Sequence, residues 1–350
     1  MIINLVKVFF PSTIGFGIGL VLAPFLGAFL YKHKMWKKKA GKVAWDGKEA
    51  EVFNRIHEQK EVGTPKMGGA IIWASVFLTI ILFKIAAEIF KSDLTVKLEF
   101  LSRNQTWLPL FTLIIGSLMG AFDDFLAVKG NGDYASGGLS LLKRLSVVAI
   151  TGLVGGAWFY YKLGVGSILV PFAGELFLGS LIIPLFVLVV LGIYSGGVID
   201  GIDGLAGGVF AAIFASYGGI AFFQNQIDLA AFCAVIVGGI LAFLWFNIPP
   251  ARFYMSETGT MGLTMTLAVV AFLTKAVLVL PIIAFPLVAT TLSDIIQVFS
   301  KRFFGKKVFQ VAPLHHHFEA IGWPGYKVTM RYWVVSVVCA VAGMIVALAG

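Results

Sequence analysis

Residues 230–247 read AAFCAVIVGGILAFLWFN, eighteen positions in a row without a formal charge. A run of this length can cross the hydrocarbon core of a bilayer as one α-helix, which takes about 20 mostly apolar residues. Comparable runs cover 5–31, 67–89, 107–122, 144–161, 177–195, 204–222, 260–274, 276–299 and 330–348, so the chain reads as about ten transmembrane helices. The fold class is all-α, a polytopic integral membrane protein, with residues 1–350 as a single membrane domain. Hydrophobic residues make up 59% of the 350 and charged residues only 13%, a balance that excludes a soluble globule. The first run is too long for a signal-peptide core and lacks a small-residue cleavage site, so it is expected to be retained. The least certain division falls in 260–299, where Lys275 is the one interruption, and two helices are expected there. Cys233 and Cys339 lie inside apolar runs, which supports neither a disulfide framework nor a thiolate metal site.

Threading the chain through a bilayer on this plan puts 20 of the 27 Lys and Arg residues, with Arg144 at the edge, on the face that receives 32–66, 123–143, 196–203, 248–259 and 300–331. Positively charged loops favour the cytoplasm, so that face is expected to be cytoplasmic and both termini extracytoplasmic. The run Lys32-His33-Lys34-Met35-Trp36-Lys37-Lys38-Lys39 serves as a topogenic and anionic-lipid signal, or recruits an anionic substrate. Nucleic acid is not an expected partner, because no helix-turn-helix, basic zipper or aromatic-basic sheet pattern accompanies the charge.

Six carboxylates fall on that same face: Asp123, Asp124, Asp200, Asp203, Glu257 and Glu319. Carboxylates at a membrane interface are costly unless they hold a cation or a substrate, and a chain with 18 acidic residues commits a third of them here. Asp123 and Asp124 end the third span and point about 100° apart on a helix, so one can face a metal while the other faces a proton acceptor. Asp200 and Asp203 lie three apart in a glycine-rich turn, Gly196-Gly197-Val198-Ile199-Asp200-Gly201-Ile202-Asp203-Gly204. That turn is not a dinucleotide fingerprint, since no strand precedes it. Asn247 is followed ten residues later by Glu257, beside Tyr254. Glu257 reads either as a site carboxylate or as a helix-capping acid. The loop Lys306–Glu319 carries His315, His316 and His317. Three consecutive imidazoles cannot reach one zinc ion without a strained backbone, and beside Lys306 and Lys307 they suit phosphate oxygens instead.

Taken together, Gly63-Thr64-Pro65-Lys66-Met67-Gly68-Gly69, the Asp123-Asp124 pair, the Asp200/Asp203 turn, Asn247 with Glu257, and Ala312-Pro313-Leu314-His315-His316-His317-Phe318-Glu319 before Gly322-Trp323-Pro324 resemble the phospho-N-acetylmuramoyl-pentapeptide transferase family. This is a branch of the polyprenyl-phosphate N-acetylhexosamine-1-phosphate transferases, and the likeness runs in order through nearly the whole chain. It implies a Mg2+-dependent enzyme of peptidoglycan synthesis in the bacterial inner (plasma) membrane. Such an enzyme moves phospho-MurNAc-pentapeptide from UDP-MurNAc-pentapeptide to undecaprenyl phosphate on the cytoplasmic face, giving lipid I and UMP. On the matching positions the resemblance makes Asp123, Asp124, Asp203, Glu257, His315, His316 and His317 catalytic, and Glu257 with Asp124 the metal ligands. It assigns Lys66, Lys129, Lys143, Arg144, Asp200, Asn247, Tyr254 and Gln297 to substrate binding, with Tyr254 on uracil and Gln297 in the nucleotide pocket. Membrane lipids surround the protein, and a homodimer is compatible with this reading.

The chain departs from the family pattern at four places. Ala127 stands where a lysine is usual, with Lys129 two residues on as a substitute. Tyr194 and Gly197 replace asparagines, and Glu257 replaces an aspartate. A sibling enzyme that transfers phospho-GlcNAc from UDP-GlcNAc would use the same carboxylates, and only the histidine-loop and Gly-Thr-Pro strings argue against it. A transporter would call for repeated halves and acids near the midplane, neither of which the sequence displays.

Overall fold

The computed structural model describes residues 1–38, 62–101, 104–130 and 138–350; Lys39, the last lysine of the basic run, lies outside them. Helices dominate: α1 (Ile2–Lys32), α2 (Ala70–Phe90), α3 (Asp93–Leu98), α4 (Asn104–Lys129), α5 (Leu141–Ala157), α6 (Ile182–Ser195), α7 (Leu205–Phe223), α8 (Ile227–Asn247), α9 (Ser256–Leu273), α10 (Leu280–Ile283), α11 (Phe285–Phe304), α12 (Leu314–Ala320) and α13 (Gly325–Ala349). Among the described residues nine helical segments are long and apolar enough to cross a membrane, and the chain is a multi-pass membrane protein. The expected span 276–299 is the exception. The chain breaks at Ala284 between α10 and α11, and Pro286 opens α11 in the first-turn position where its missing N–H costs nothing. α11 also carries Asp294, Lys301 and Arg302, which lowers its hydropathy.

Two further boundaries differ from expectation. Phe177 does not open a span. It pairs with Ser167 in an antiparallel hairpin, β1 (Ser167–Val170) with β2 (Gly174–Phe177). The third helix continues to Lys129, so Asp123 and Asp124 sit well inside α4 rather than at its end.

Small residues set the packing, as is usual where helices meet in lipid. α9 is enclosed by the other helices along almost its whole length. A Cβ on Gly116 would lie 2.9 Å from Gly262 Cα, and one on Gly120 would overlap the Glu257 carbonyl. α4 and α9 can therefore cross in direct backbone contact, bringing the Asp123-Asp124 pair against the first turn of α9. The Lys7–Asp228 ion pair joins the N-terminal ends of α1 and α8, and Phe172 N–H donates to the Gly350 carbonyl at the hairpin. Both chain ends thus lie at the end of the bundle opposite Asn247 and Glu257.

Candidate active site

A cavity of about 1000 Å3 opens at the Glu257 end of the bundle. Lys66, Asp123, Arg144, Asp200, Asp203, Asn247, Tyr254, Glu257 and His316 line it, together with Lys37, Tyr194 and Glu319. The motifs separated by up to 250 residues in sequence are neighbours around this space.

The 100° divergence of adjacent helical residues divides the first acid pair. Asp123 turns to the cavity. Its Oδ1 accepts the Leu139 N–H at 2.6 Å and lies 3.3 Å from Arg144 Nε. Asp124 turns away and is fully buried. Its Oδ1 takes Lys66 Nζ at 3.0 Å, and its Oδ2 takes both the N–H and the hydroxyl of Thr258, at 2.9 and 2.7 Å. Two oxygens engaged by three donors leave Asp124 poorly placed as a metal ligand. Glu257 does stand in the first turn of α9, where a capping acid would, but its Oε1 is bound by Arg144 Nη1 at 3.0 Å. Lys66 keeps its proton firmly: burial works against its charge, and the Asp124 carboxylate more than offsets this, so its pKa is raised above the ordinary lysine value.

The second acid pair is braced by backbone. Asp200 Oδ2 accepts the Ser256 N–H at 2.7 Å, which sets it beside Glu257, and Asp203 Oδ2 accepts the Ala251 N–H at 3.1 Å. Asn247 ties the same two loops together: its Oδ1 accepts from Gly204 N–H and its Nδ2 donates to the Phe253 carbonyl. The Gly-Thr-Pro string lies alongside in an exchange of backbone hydrogen bonds, Tyr254 N–H to Pro65 O, Gly68 N–H to Tyr254 O and Gly69 N–H to Met255 O. A Cβ on Gly68 would come within 2.7 Å of the Tyr254 carbonyl, which explains the glycine and fixes Lys66 over Asp124.

The histidine loop is stapled to α11. Ser293, Gln297 and Ser300 recur at helical spacing on one face. Ser293 Oγ accepts from Leu314 N–H, Gln297 Oε1 accepts from Val308 and Phe309 N–H while its Nε2 donates to Phe309 O, and Ser300 Oγ donates to Lys306 O. Gln297 thus braces the loop and lies away from the cavity lining. His316 is 2.8 Å from Glu319 through Nδ1. Its Nε2 edge meets Gly201, where a Cβ would stand 2.7 Å away.

Several expected site residues lie elsewhere. His315 is buried against the His316 ring at 4.2 Å between centroids, and His317 Nδ1 accepts from Gln310 N–H; neither lines the cavity. Lys143 is exposed, and Lys129 lies 4.4 Å above the Phe125 ring, exposed and off the cavity, so it does not stand in for a lysine at 127. Lys37, part of the basic run that reads either as a topogenic signal or as recruiting an anionic substrate, does reach the lining. Thr258, Leu139 and the α11 stripe were also missed. The stripe alone left a signal, in the 293/297/300 spacing.

Residues 106–275 match the model of glycosyl transferase family 4. The phospho-N-acetylmuramoyl-pentapeptide-transferase of Caldanaerobacter subterraneus subsp. tengcongensis is 34% identical over 340 residues, covering 95% of this chain and 96% of its own length. That of a Geobacillus species is 36% identical over 82% of this chain and 84% of its own, and that of Bacillus velezensis 33% identical over 96% and 97%. The chain belongs to the phospho-N-acetylmuramoyl-pentapeptide transferase family. Within this transferase family's framework the departures acquire local explanations: Tyr194 lines the cavity together with Arg144, and with Ala127 at its position the lining cations among the described residues include Lys66, Lys37 and Arg144.

Proposed function

We propose that this chain transfers phospho-MurNAc-pentapeptide from UDP-MurNAc-pentapeptide to undecaprenyl phosphate, releasing UMP and forming lipid I, on the cytoplasmic face of the bacterial inner membrane. The observation that carries this reading is that relatives named for this transfer match almost the whole chain while the acids and cations of its motifs converge on one large cavity. The sibling phospho-GlcNAc reading has no such support.

A lipid-phosphate oxygen attacks the phosphorus that bears MurNAc, and the bond from that phosphorus to the UMP oxygen breaks. Leu139 and Arg144 both engage Asp123 through Oδ1, which leaves Oδ2 to take a proton from the acceptor phosphate. Lys66 and Arg144 supply positive charge where the two anions meet. The Glu319 carboxylate, accepting from His316 Nδ1–H, directs Nε2 toward the Asp200 turn as an acceptor. Leu141, Val198 and Ile295 are exposed and part of the lining, apolar surface along which a polyprenyl chain can stay in the bilayer.

The donor set suits Mg2+. The lining carboxylates offer hard oxygen ligands and no thiolate. Glu257 and the adjacent Asp200 would hold Mg2+. Bound there, the ion neutralises charge on the diphosphate and the leaving UMP.

Purified protein with both substrates and Mg2+ should release UMP and form a lipid-linked product, and chelation should abolish both. Equal turnover with UDP-GlcNAc would assign the chain to the sibling reaction.

A further inference from the structure

Arg144 ties together two acids from different helices. Its Nη1 is 3.0 Å from Glu257 Oε1 on α9, its Nε is 3.3 Å from Asp123 Oδ1 on α4, and Nε also donates to the Leu139 carbonyl at 3.1 Å. The three side chains are mostly shielded, Arg144 being 19% exposed, Glu257 25% and Asp123 4%, so the pairing is stronger than that of a surface ion pair. Asp124 has its own cation in Lys66 and further donors in Thr258. Among the described residues Asp123 and Glu257 therefore share the Arg144 guanidinium, and these five charged groups carry one net negative charge.

This geometry makes the guanidinium a rival of any cation that uses Glu257. A positive ion at the Glu257 carboxylate would lie beside Arg144 and be repelled by it, since the guanidinium already holds Oε1 at 3.0 Å. Arg144 has somewhere else to go. It lines the cavity together with Tyr194, and its Nε has an anchor in the Leu139 carbonyl that does not depend on Glu257. Building on the Mg2+-assisted transfer read above, we propose that Arg144 is a latch: it clamps Glu257 to Asp123 until a divalent cation binds, releases Glu257 to that cation, and then presents its freed charge to the diphosphate. Arg144 is on this account a positioning residue whose contact with the metal-holding carboxylate and contact with the donor alternate.

The test uses the full-length protein in detergent with Mn2+ alone as a paramagnetic probe, free Mn2+ being read by electron paramagnetic resonance. Arg144→Lys keeps the charge but loses the planar fork that spans two carboxylates. It should bind Mn2+ about fivefold more tightly than wild type, and Arg144→Gln more tightly still. Both variants should melt at a lower temperature than wild type without metal, and the gap should narrow at saturating Mn2+, because the latch is open in the loaded protein. Wild-type or weaker Mn2+ affinity in Arg144→Lys would overturn the latch, even if Arg144→Gln gained affinity through loss of charge alone. A melting gap that saturating Mn2+ leaves unchanged, or no Mn2+ binding by wild type, would overturn it as well. Should Arg144→Gln fail to fold, the Lys variant alone decides. Absence of UMP release by wild type would sink the proposed function while leaving the Mn2+ comparison readable, and unaltered Mn2+ affinity in an enzyme that turns over would sink the latch alone.

Discussion

His316 Nδ1 and Glu319 Oε2 stand 2.8 Å apart across one turn of α12, with the imidazole 4% and the carboxylate 8% exposed. A buried imidazole bonded at Nδ1 is held in one tautomer and one orientation. Glu319→Gln keeps the shape but can turn an N–H toward Nδ1. We expect kcat to fall about tenfold or more with the melting temperature little changed, a loss typical of misdirecting an acid–base group. Unchanged kcat would remove the pair from the reaction.

Gln297 makes three hydrogen bonds to the backbone of residues 308 and 309. Gln297→Leu fills the same space without them. Freed from its staple, the histidine loop should misplace His316, lowering kcat about tenfold with KM for the nucleotide donor nearly constant. A large rise in donor KM at constant kcat would instead return Gln297 to the nucleotide pocket.

The Lys66–Asp124 pair is a stability element of the cavity wall. Lys66→Met removes one partner and leaves a buried carboxylate on the Thr258 donors, at a cost of up to about 3 kcal/mol. The folded Lys66 pKa is raised above 10.5, so this contribution is complete below the unfolded lysine value and is lost only as pH rises through the higher folded one. The melting-temperature difference between wild type and variant should therefore be flat from about pH 6 to 9. A difference that disappeared near neutrality would contradict the assignment.

Glu257 stands where a helix-capping acid would, yet it faces the cavity and binds Arg144. Glu257→Gln should lower kcat by about a hundredfold, comparable with losing one strong transition-state contact, and Glu257→Asp should lose less. A capping role predicts a small loss of stability with turnover intact, so turnover measured against Mg2+ for the three proteins separates the two.

The spans were legible because a bilayer demands long apolar runs, and the motif acids were legible as a set because they fall between alternate spans. What stayed hidden has a common cause. Where polar groups are buried around a cavity, polarity no longer marks a helix end, so α4 was read as stopping at Asp123 although it continues to Lys129. α11 was merged with α10 because Ala284 and Pro286 interrupt the backbone without interrupting the hydropathy. Which of two adjacent acids faces the cavity depends on Lys66 and Thr258, more than a hundred residues apart in the chain, and no spacing within α4 could reveal it. Gln297 was assigned to nucleotide by resemblance, whereas its side-chain hydrogen bonds all go to its own loop.

The central claim is that a phosphoryl-sugar unit passes intact from nucleotide to lipid in this cavity. Donor labelled with 32P at the phosphate next to MurNAc tests it most directly, incubated with undecaprenyl phosphate, Mg2+ and the purified protein. The label should enter the organic-soluble lipid in proportion to unlabelled UMP released, and Asp123→Asn should abolish both. Label left in water-soluble products while the sugar moves to lipid, or UMP release that continues without the lipid acceptor at an undiminished rate, would contradict it.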